Sequence, residues 1–350
     1  MLFYNVENER LTLYDVTSEN SYHWSCPSVV DHPTGLTPAA LCTLASLNPN
    51  LTSLRLDYCG RMDDTVATAW ATSLPNLKRI ELLGPFLVRV PSWKAFFRAH
   101  PDLEGFLITQ SPRFDLECMQ VLVDSCSKLK ELRLKDVGKM SDEFLECLKP
   151  LGGQLTHLEL SSPGTADALS DKALIELLEA VGDGLEHLDL SGNIDITDAL
   201  LFQGVKPYVL HATSLVLANT PELTDAGVAE FFQTWKATPL SSLDMSRNHE
   251  LGDKALSALL AHSGVGLTCL NINGWKDVSE ESLKLIPRHA TGLQRLDVGW
   301  CRSVDDWLVK SVLEECGEIE EVKVWGCSRL TAHCARKVCL RPRPDVWSSC

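Results

Sequence analysis

The hydrophobic positions of this chain repeat. A register of the form L-x-x-L-x-L begins at Leu51 and returns at Leu77, Leu103, Leu129, Leu155, Leu185, Ala212, Leu240, Leu267, Leu293 and Ile319, with steps of 26 to 30 residues. A period of that length, with one short apolar strand and one amphipathic helix in each unit, is the leucine-rich-repeat pattern. A single unit cannot bury its own apolar side, so neighbouring units stack and share one continuous core. The expected fold is therefore an α/β leucine-rich-repeat solenoid. It is a ribonuclease-inhibitor-like horseshoe of the cysteine-containing subtype, with a parallel sheet on the concave face and helices on the convex face.

The second half of each unit sharpens this reading. An acidic turn announces most helices, as in MDD at 62–64, MSD at 140–142, ITD at 196–198, LTD at 223–225, LGD at 251–253, VSE at 278–280 and VDD at 304–306. Ser, Thr or Asp there accepts hydrogen bonds from helix N–H groups that lack a partner, and the carboxylates favour the positive end of the helix dipole. Cys59, Cys301 and Cys327 stand at the turn position that Asn193 and Asn248 occupy in their own units. A small thiol or amide at that point serves the turn, so these five residues read as structural. The units opened by Leu77 and Leu103 depart from the template, with Gly84-Pro85 and Ser111-Pro112 at their strand exits. Such departures are where binding surfaces tend to sit.

The whole chain, 1–350, reads as one repeat domain with three parts. Residues 1–50 form an irregular first unit, with a strand over ERLTLYD at 9–15, an inserted polar loop at 17–35 and a helix capped by Thr37. Residues 51–330 are the regular repeats. Residues 331–350 form a C-terminal cap and tail, in which Val338 and Leu340 supply a last short strand.

Composition narrows the function. No apolar run approaches the ~20 residues that a membrane helix needs, and the first residues lack the apolar core of a signal peptide, so an intracellular address is expected. The formal net charge of −15 opposes tight binding to a phosphate backbone, which clustered Lys and Arg drive. The basic tail residues Arg336, Lys337, Arg341 and Arg343 read as a solvated terminus. Nucleophile-elbow, Walker, H-E-x-x-H and dinucleotide motifs are all missing. No cofactor and no metal is expected, since the group Cys327, His333, Cys334 and Cys339 has no zinc spacing.

The candidate partner surface lies on the sheet face and its rim. Taking the residue between the two leucines of each L-x-L places Glu159, Asp189, Asp244 and Asp297 on one face. That face suits a basic peptide or tail; equally, such acids keep a large sheet soluble. His157 and His187 align on neighbouring strands and read as surface residues. Trp275, Trp300 and Trp325 are spaced 25 residues apart, one less than a repeat, and so step diagonally across the last units. Trp275 occupies the buried turn position and reads as core. Trp300 and Trp325, with Arg295, Arg302 and Lys323 nearby, are either packing residues or a partner site, since large aromatics dominate binding hot spots.

Particular strings go further than the periodicity. LTSLRLDYCGRMDD (51–64), LLGPFLV (82–88), TQSPRF (109–114), LEHLDLSGN (185–193), LNINGWKDVSEESL (270–283), LDVGWCRSVDD (296–306) and EVKVWGCSRLT (321–331) resemble the Rad-seven family of fungal nucleotide-excision-repair proteins, over about residues 9–340. The resemblance implies a nuclear, non-enzymatic scaffold subunit in global-genome damage recognition. Its implied partners are a SWI/SNF-type ATPase and a cullin–elongin ubiquitin ligase, and it meets damaged DNA indirectly or weakly. Members of the family carry a long N-terminal extension with a cysteine-rich zinc-binding segment, which this sequence does not include. A truncated or shortened form is expected, and properties of the extension are not carried over. The alternative is a substrate receptor of a Skp–cullin–F-box ligase, which would need a compact helical segment ahead of the repeats.

Overall fold

The computed structural model describes residues 2–7, 10–15, 37–57, 59–138, 140–162, 169–331 and 334; side chains are described from residue 37 onward. The inserted loop at 17–35, the basic tail and the expected strand at Val338 and Leu340 lie outside these residues. Contacts divide the chain into two compact units, Met1–Ala168 and Leu169–Cys350.

In the first unit, strands β1 (Leu2–Glu7), β2 (Arg10–Asp15), β3 (Ser53–Leu56), β4 (Arg79–Leu83), β5 (Gly105–Thr109), β6 (Glu131–Lys135) and β7 (His157–Ser161) alternate, from β2 onward, with helices. Strands β2 to β7 pair in parallel with equivalent repeat positions side by side, so that Leu54 meets Ile80, Ile80 meets Phe106 and Phe106 meets Leu132. The strand expected over 9–15 is present as β2. Its partner β1 lies outside the repeat pattern: it pairs antiparallel from Leu2↔Asp15 to Glu7↔Arg10 and occupies the edge of β2 opposite β3. The run LFYNV is rich in strand-favouring residues.

The core of this unit is unusually aromatic where the repeat template lapses. Trp93, Phe96 and Phe97 of the helix Val90–Ala99 are fully buried. Trp93 stacks on Phe97 at 5.9 Å and meets Phe106 edge-on at 5.5 Å, and Phe106 lies 5.6 Å from Phe114. Phe106 and Phe114 come from the unit with the irregular exit, where the Phe114 N–H still closes the turn on the Ser111 carbonyl at 3.1 Å. Such rings bury large apolar areas and add roughly 0.5–1.5 kcal/mol per well-oriented pair.

In the second unit, β8 (His187–Asp189), β9 (Ser214–Val216), β10 (Ser242–Asp244), β11 (Cys269–Asn271), β12 (Arg295–Asp297) and β13 (Glu321–Lys323) are parallel and only three residues long. In four of the six the third residue is an Asp or Asn; Val216 and Lys323 hold that position in β9 and β13. Asp189 Oδ1 accepts the Ser191 N–H at 2.8 Å, Asp244 Oδ1 the Ser246 N–H at 2.9 Å, Asn271 Oδ1 the Asn273 N–H at 3.1 Å and Asp297 Oδ1 the Gly299 N–H at 2.9 Å. Each side chain folds onto its own backbone two residues ahead, a turn that Asp and Asn favour and that ends the strand. In the first unit Arg55, Glu81, Leu107, Arg133 and Glu159 hold the same position, and their strands run four or five residues.

Five of the seven expected turns cap a helix through a side chain: Asp63, Thr197, Thr224, Ser279 and Asp305 each accept N–H groups of their own helix, as does Ser170, whereas Ser141 and Gly252 make no side-chain cap bond. The acid just after the cap reaches instead into the next repeat. Asp64 accepts the Arg89 N–H, Asp171 that of Thr197, Asp198 that of Thr224, Asp225 that of Gly252, Asp253 that of Ser279 and Asp306 that of Thr331, at 2.7 to 3.2 Å. These carboxylates therefore join successive caps as well as sitting at helix N-termini.

Among the buried groups His100 is unusual. Its Nδ1 lies 2.8 Å from the Phe96 carbonyl and its Nε2 3.1 Å from the Leu74 carbonyl. A neutral imidazole can donate to only one of them. Burial nonetheless dominates and holds its pKa below the ordinary 6.5, against the two carbonyls that favour the charged ring; half-buried His262 shifts the same way for the same reason.

Two outcomes follow. Leu188 is fully buried on β8, so Leu188→Ala should lower the unfolding free energy in urea by about 2–5 kcal/mol; a near-neutral change would break the repeat register. Because the folded state holds His100 and His262 below the unfolded value, the unfolded chain takes up protons first. Stability should be intact near neutral pH and fall as pH drops below 6.5, and His100→Gln should flatten that slope in urea titrations.

Candidate functional site

The strand exits place Trp300 and Trp325, while the charged residues that the sequence proposes for partner contact, Arg295, Lys323, Glu159, Asp189, Asp244 and Asp297, lie on the strands. After each strand the chain turns at its sixth residue, which adopts a left-handed conformation. In the first unit these are Gly84, Gln110, Asp136 and Ser162; in the second they are Gly192, Asn219, Arg247, Gly274, Trp300 and Gly326, with φ between 48° and 85°. Their N–H groups continue the parallel ladder past the strand, as in Gly274 to the Gly299 carbonyl at 2.8 Å and Trp300 to the Trp325 carbonyl at 2.6 Å. The seventh residue then turns inward. Asn248 Nδ2 donates to Leu217 O, Trp275 Nε1 to Met245 O, Cys301 Sγ to Ile272 O and Cys327 Sγ to Val298 O, each the carbonyl of the fourth residue in the preceding unit. Asn193 donates to Leu190 O in its own turn.

All five turn residues thus donate to a main-chain carbonyl, Cys59 to Leu83 O of the following unit at 3.2 Å. Burial pushes the thiols up, to about 12 for Cys59 and Cys301 and about 11 for Cys327, so they remain protonated donors. Trp275 is a member of the same donor row and is fully buried.

Trp300 and Trp325 differ from it. They are 62 % and 72 % exposed. Trp300 holds the left-handed position at φ 60°, where Gly192, Gly274 and Gly326 stand in other units. A side chain with a Cβ costs about 1–2 kcal/mol in that conformation. The ring is seated by a neighbour: a Cβ on Gly326 would stand 2.5 Å from it. Gly326 thus serves both its own positive φ, 74°, and the close approach of the indole. The outer face of Trp300 stays open, beside Trp325 at the exit of the next strand. A further feature, not legible from residue types, is His249, whose Nδ1 lies 2.9 Å from the Gly274 carbonyl on the same rim.

The acidic face is not the open acidic surface that alternation suggests, and here the expectation is corrected. Glu159 is 6 % and Asp189 9 % exposed. Glu159 is held by Arg133 and by Ser161 Oγ, and Arg133 also reaches Glu81 at 3.1 Å, which in turn pairs with Arg55 and Arg79. Asp244 accepts Asn271 Nδ2 at 2.7 Å as well as its own turn N–H, and burial raises its pKa. Asp297 accepts Asn273 Nδ2 at 3.1 Å. Neighbouring rows lie roughly 4.8 Å apart in a parallel sheet, so side chains of this length cover and bond one another. Arg295 Nε lies against Cys269 Sγ, Lys323 pairs with Glu321 at 3.4 Å and Arg302 with Asp277 at 3.9 Å. His157 is exposed beside the Thr156 hydroxyl, and His187 is half-buried. Among the described residues no three His, Cys, Asp or Glu side chains are grouped to hold a metal ion; His333 and Cys339 lie outside them.

The chain resembles known proteins over most of its length. A family profile described as "Leucine Rich repeat" matches residues 236–260. DNA repair protein rhp7 of Schizosaccharomyces pombe is 33 % identical over 296 residues, which cover 83 % of this chain and 52 % of rhp7. DNA repair protein RAD7 of Saccharomyces cerevisiae is 29 % identical over 306 residues, covering 86 % of this chain and 53 % of RAD7. The chain spans about half the length of these curated relatives. Among solved structures, Rad7 in the crystal structure of the yeast Rad7 and Elc1 complex aligns with a TM-score of 0.78 at 28 % identity, covering 87 % of this chain and 76 % of that one. The chain is a leucine-rich-repeat protein whose homologues are the Rad7 and Rhp7 DNA repair proteins.

Proposed function

We propose that this chain is a non-enzymatic protein-binding scaffold of nucleotide excision repair, acting in the nucleus in global-genome damage recognition. The observation that carries the reading is the match of nearly the whole repeat array to two DNA repair proteins and to Rad7 as it stands in complex with Elc1. An elongin-type subunit is accordingly one partner. A SWI/SNF-type ATPase and the cullin of a ubiquitin ligase are the others, in line with the family resemblance. The net charge of −15 favours protein partners over direct, tight contact with DNA.

Trp300 and Trp325 are the contact residues we assign to one of these partners. Their exposure and the seat that Gly326 provides give a large apolar surface fixed before binding, which reduces the ordering cost of association. Arg295 and Lys323 flank this rim through their own internal contacts. The acids Glu159, Asp189, Asp244 and Asp297 support the sheet face behind it.

Affinity purification of the tagged chain from its host should recover an elongin-type protein, a cullin and a SWI/SNF-type ATPase. Recovery of a Skp-type adaptor without the ATPase would replace this reading with an F-box substrate receptor. Trp300→Ala combined with Trp325→Ala should weaken partner binding by about tenfold or more, as loss of paired hot-spot residues does, with little change in the thermal midpoint. Trp300→Gly should match that loss at stability unchanged to within about 1 kcal/mol, since relief of the left-handed strain opposes the added freedom of the unfolded chain. A large fall in the midpoint for these variants would place the rings in the core.

A further inference from the structure

The irregular exit of β4 presents a surface that neither the repeat architecture nor the repair reading uses. Here Gly84-Pro85-Phe86-Leu87-Val88 replaces the usual turn. Pro85 and Val88 are buried and pin the segment at both ends, while Phe86 and Leu87 between them are 39 % and 44 % exposed. The Phe86 N–H closes a tight turn on the Gly84 carbonyl at 2.8 Å. Gly84, at φ 79°, makes room for the Phe86 ring, since a Cβ there would stand 3.0 Å from it, and the ring also lies over Gly60, whose Cβ position is 3.7 Å away in ordinary contact. The apolar pair is thus fixed outward rather than loosely exposed.

Arginines surround it. Arg61 follows Gly60 directly and is exposed, and Arg113 Nη1 donates to the Leu87 carbonyl at 3.1 Å, which brings its guanidinium onto the patch. Arg89 stands two residues beyond Leu87 and is paired with Asp64. Neither Arg61 nor Arg113 takes part in an ion pair among the described residues, and the nearby acids are occupied: Asp63 and Asp115 cap helices, and Asp57 pairs with Arg55. On a chain of net charge −15 two guanidinium groups without an ion pair among the described residues thus stand beside two apolar side chains.

We propose that this surface is a docking site for an acidic peptide segment of a partner protein that carries a large apolar anchor. The anchor packs on Phe86 and Leu87, and flanking carboxylates pair with Arg61 and Arg113, whose planar guanidinium groups favour two-point contact with carboxylates. The charge count decides against a nucleic acid: two unpaired arginines beside two aliphatic or aromatic side chains offer a phosphate backbone little, whereas aromatic, arginine-rich patches of this kind are enriched in protein interfaces. The site lies within the first unit, whereas Trp300 and Trp325 belong to the second. It makes no use of the identity of the repair partners.

Selection of a random dodecapeptide phage library on the intact protein, with counter-selection on the Arg61→Glu, Arg113→Glu double variant, tests this. Both side chains are exposed, and an unchanged thermal midpoint certifies the variant's fold. The peptides retained by the protein and lost by the variant should be acidic and contain an aromatic or large aliphatic residue. Their binding, read by fluorescence anisotropy, should fall about tenfold or more with Phe86→Ser, as for a hot-spot anchor. The proposal is overturned if no peptide distinguishes the two proteins, if those that do are neutral or basic, or if Phe86→Ser leaves their binding intact. It is equally overturned if a single-stranded oligonucleotide binds the same residues and displaces the peptides.

Discussion

The second unit is organised around one buried carbonyl per repeat. At the fourth residue of each unit the chain leaves the strand, its N–H still reaches the neighbouring ladder, and its carbonyl is turned toward the core. A buried carbonyl without a donor costs about 1–3 kcal/mol, and in a repeat the cost recurs. The Leu190 carbonyl is met by Asn193 of its own turn; from Leu217 onward the seventh residue of the following unit answers it, and the chemistry is interchangeable: an amide at Asn248, an indole at Trp275, a thiol at Cys301 and Cys327. The geometry needs a donor of the right reach, and residue identity is secondary.

That tolerance explains how far the sequence could be read. The leucine register and the shared turn position of Cys59, Asn193, Asn248, Cys301 and Cys327 were legible because spacing alone reveals them. Trp275 was legible as core for the same reason, since it falls on that position and Trp300 and Trp325 do not. The acids misled because alternation gives the face of a strand and says nothing of what a side chain does there. Asp189, Asp244 and Asp297 are short enough to fold onto their own backbone, while Glu159 is long enough to reach Arg133 in the adjacent row. The hairpin partner β1 lay outside the repeat pattern and so outside its logic. The bond from each acidic turn to the next cap joins residues about 26 apart, a relation that only stacking reveals.

The two candidate surfaces arise where the repeat gives up something. At Trp300 a bulky aromatic residue takes a conformation for which four other units use glycine, and its ring gains a seat rather than burial. At Gly84 to Val88 the turn donor is lost, an aromatic core compensates beneath, and two apolar side chains are left facing out above. In both, glycine supplies the space into which an aromatic ring settles. Departures from a repeat of this kind carry information because the regular solution is available a few strands away in the same chain.

The thiol donors have a consequence for the chemistry of the chain. A sulfur that is alkylated, or joined to another, no longer has a hydrogen to give, so oxidation at Cys301 or Cys327 would strand the carbonyls of Ile272 and Val298. Yet the surroundings that make those carbonyls need a donor also hold the thiols at pKa values of about 12 and 11, where almost none is the reactive thiolate. Burial creates the dependence on a reduced sulfur and at the same time shields that sulfur from oxidants.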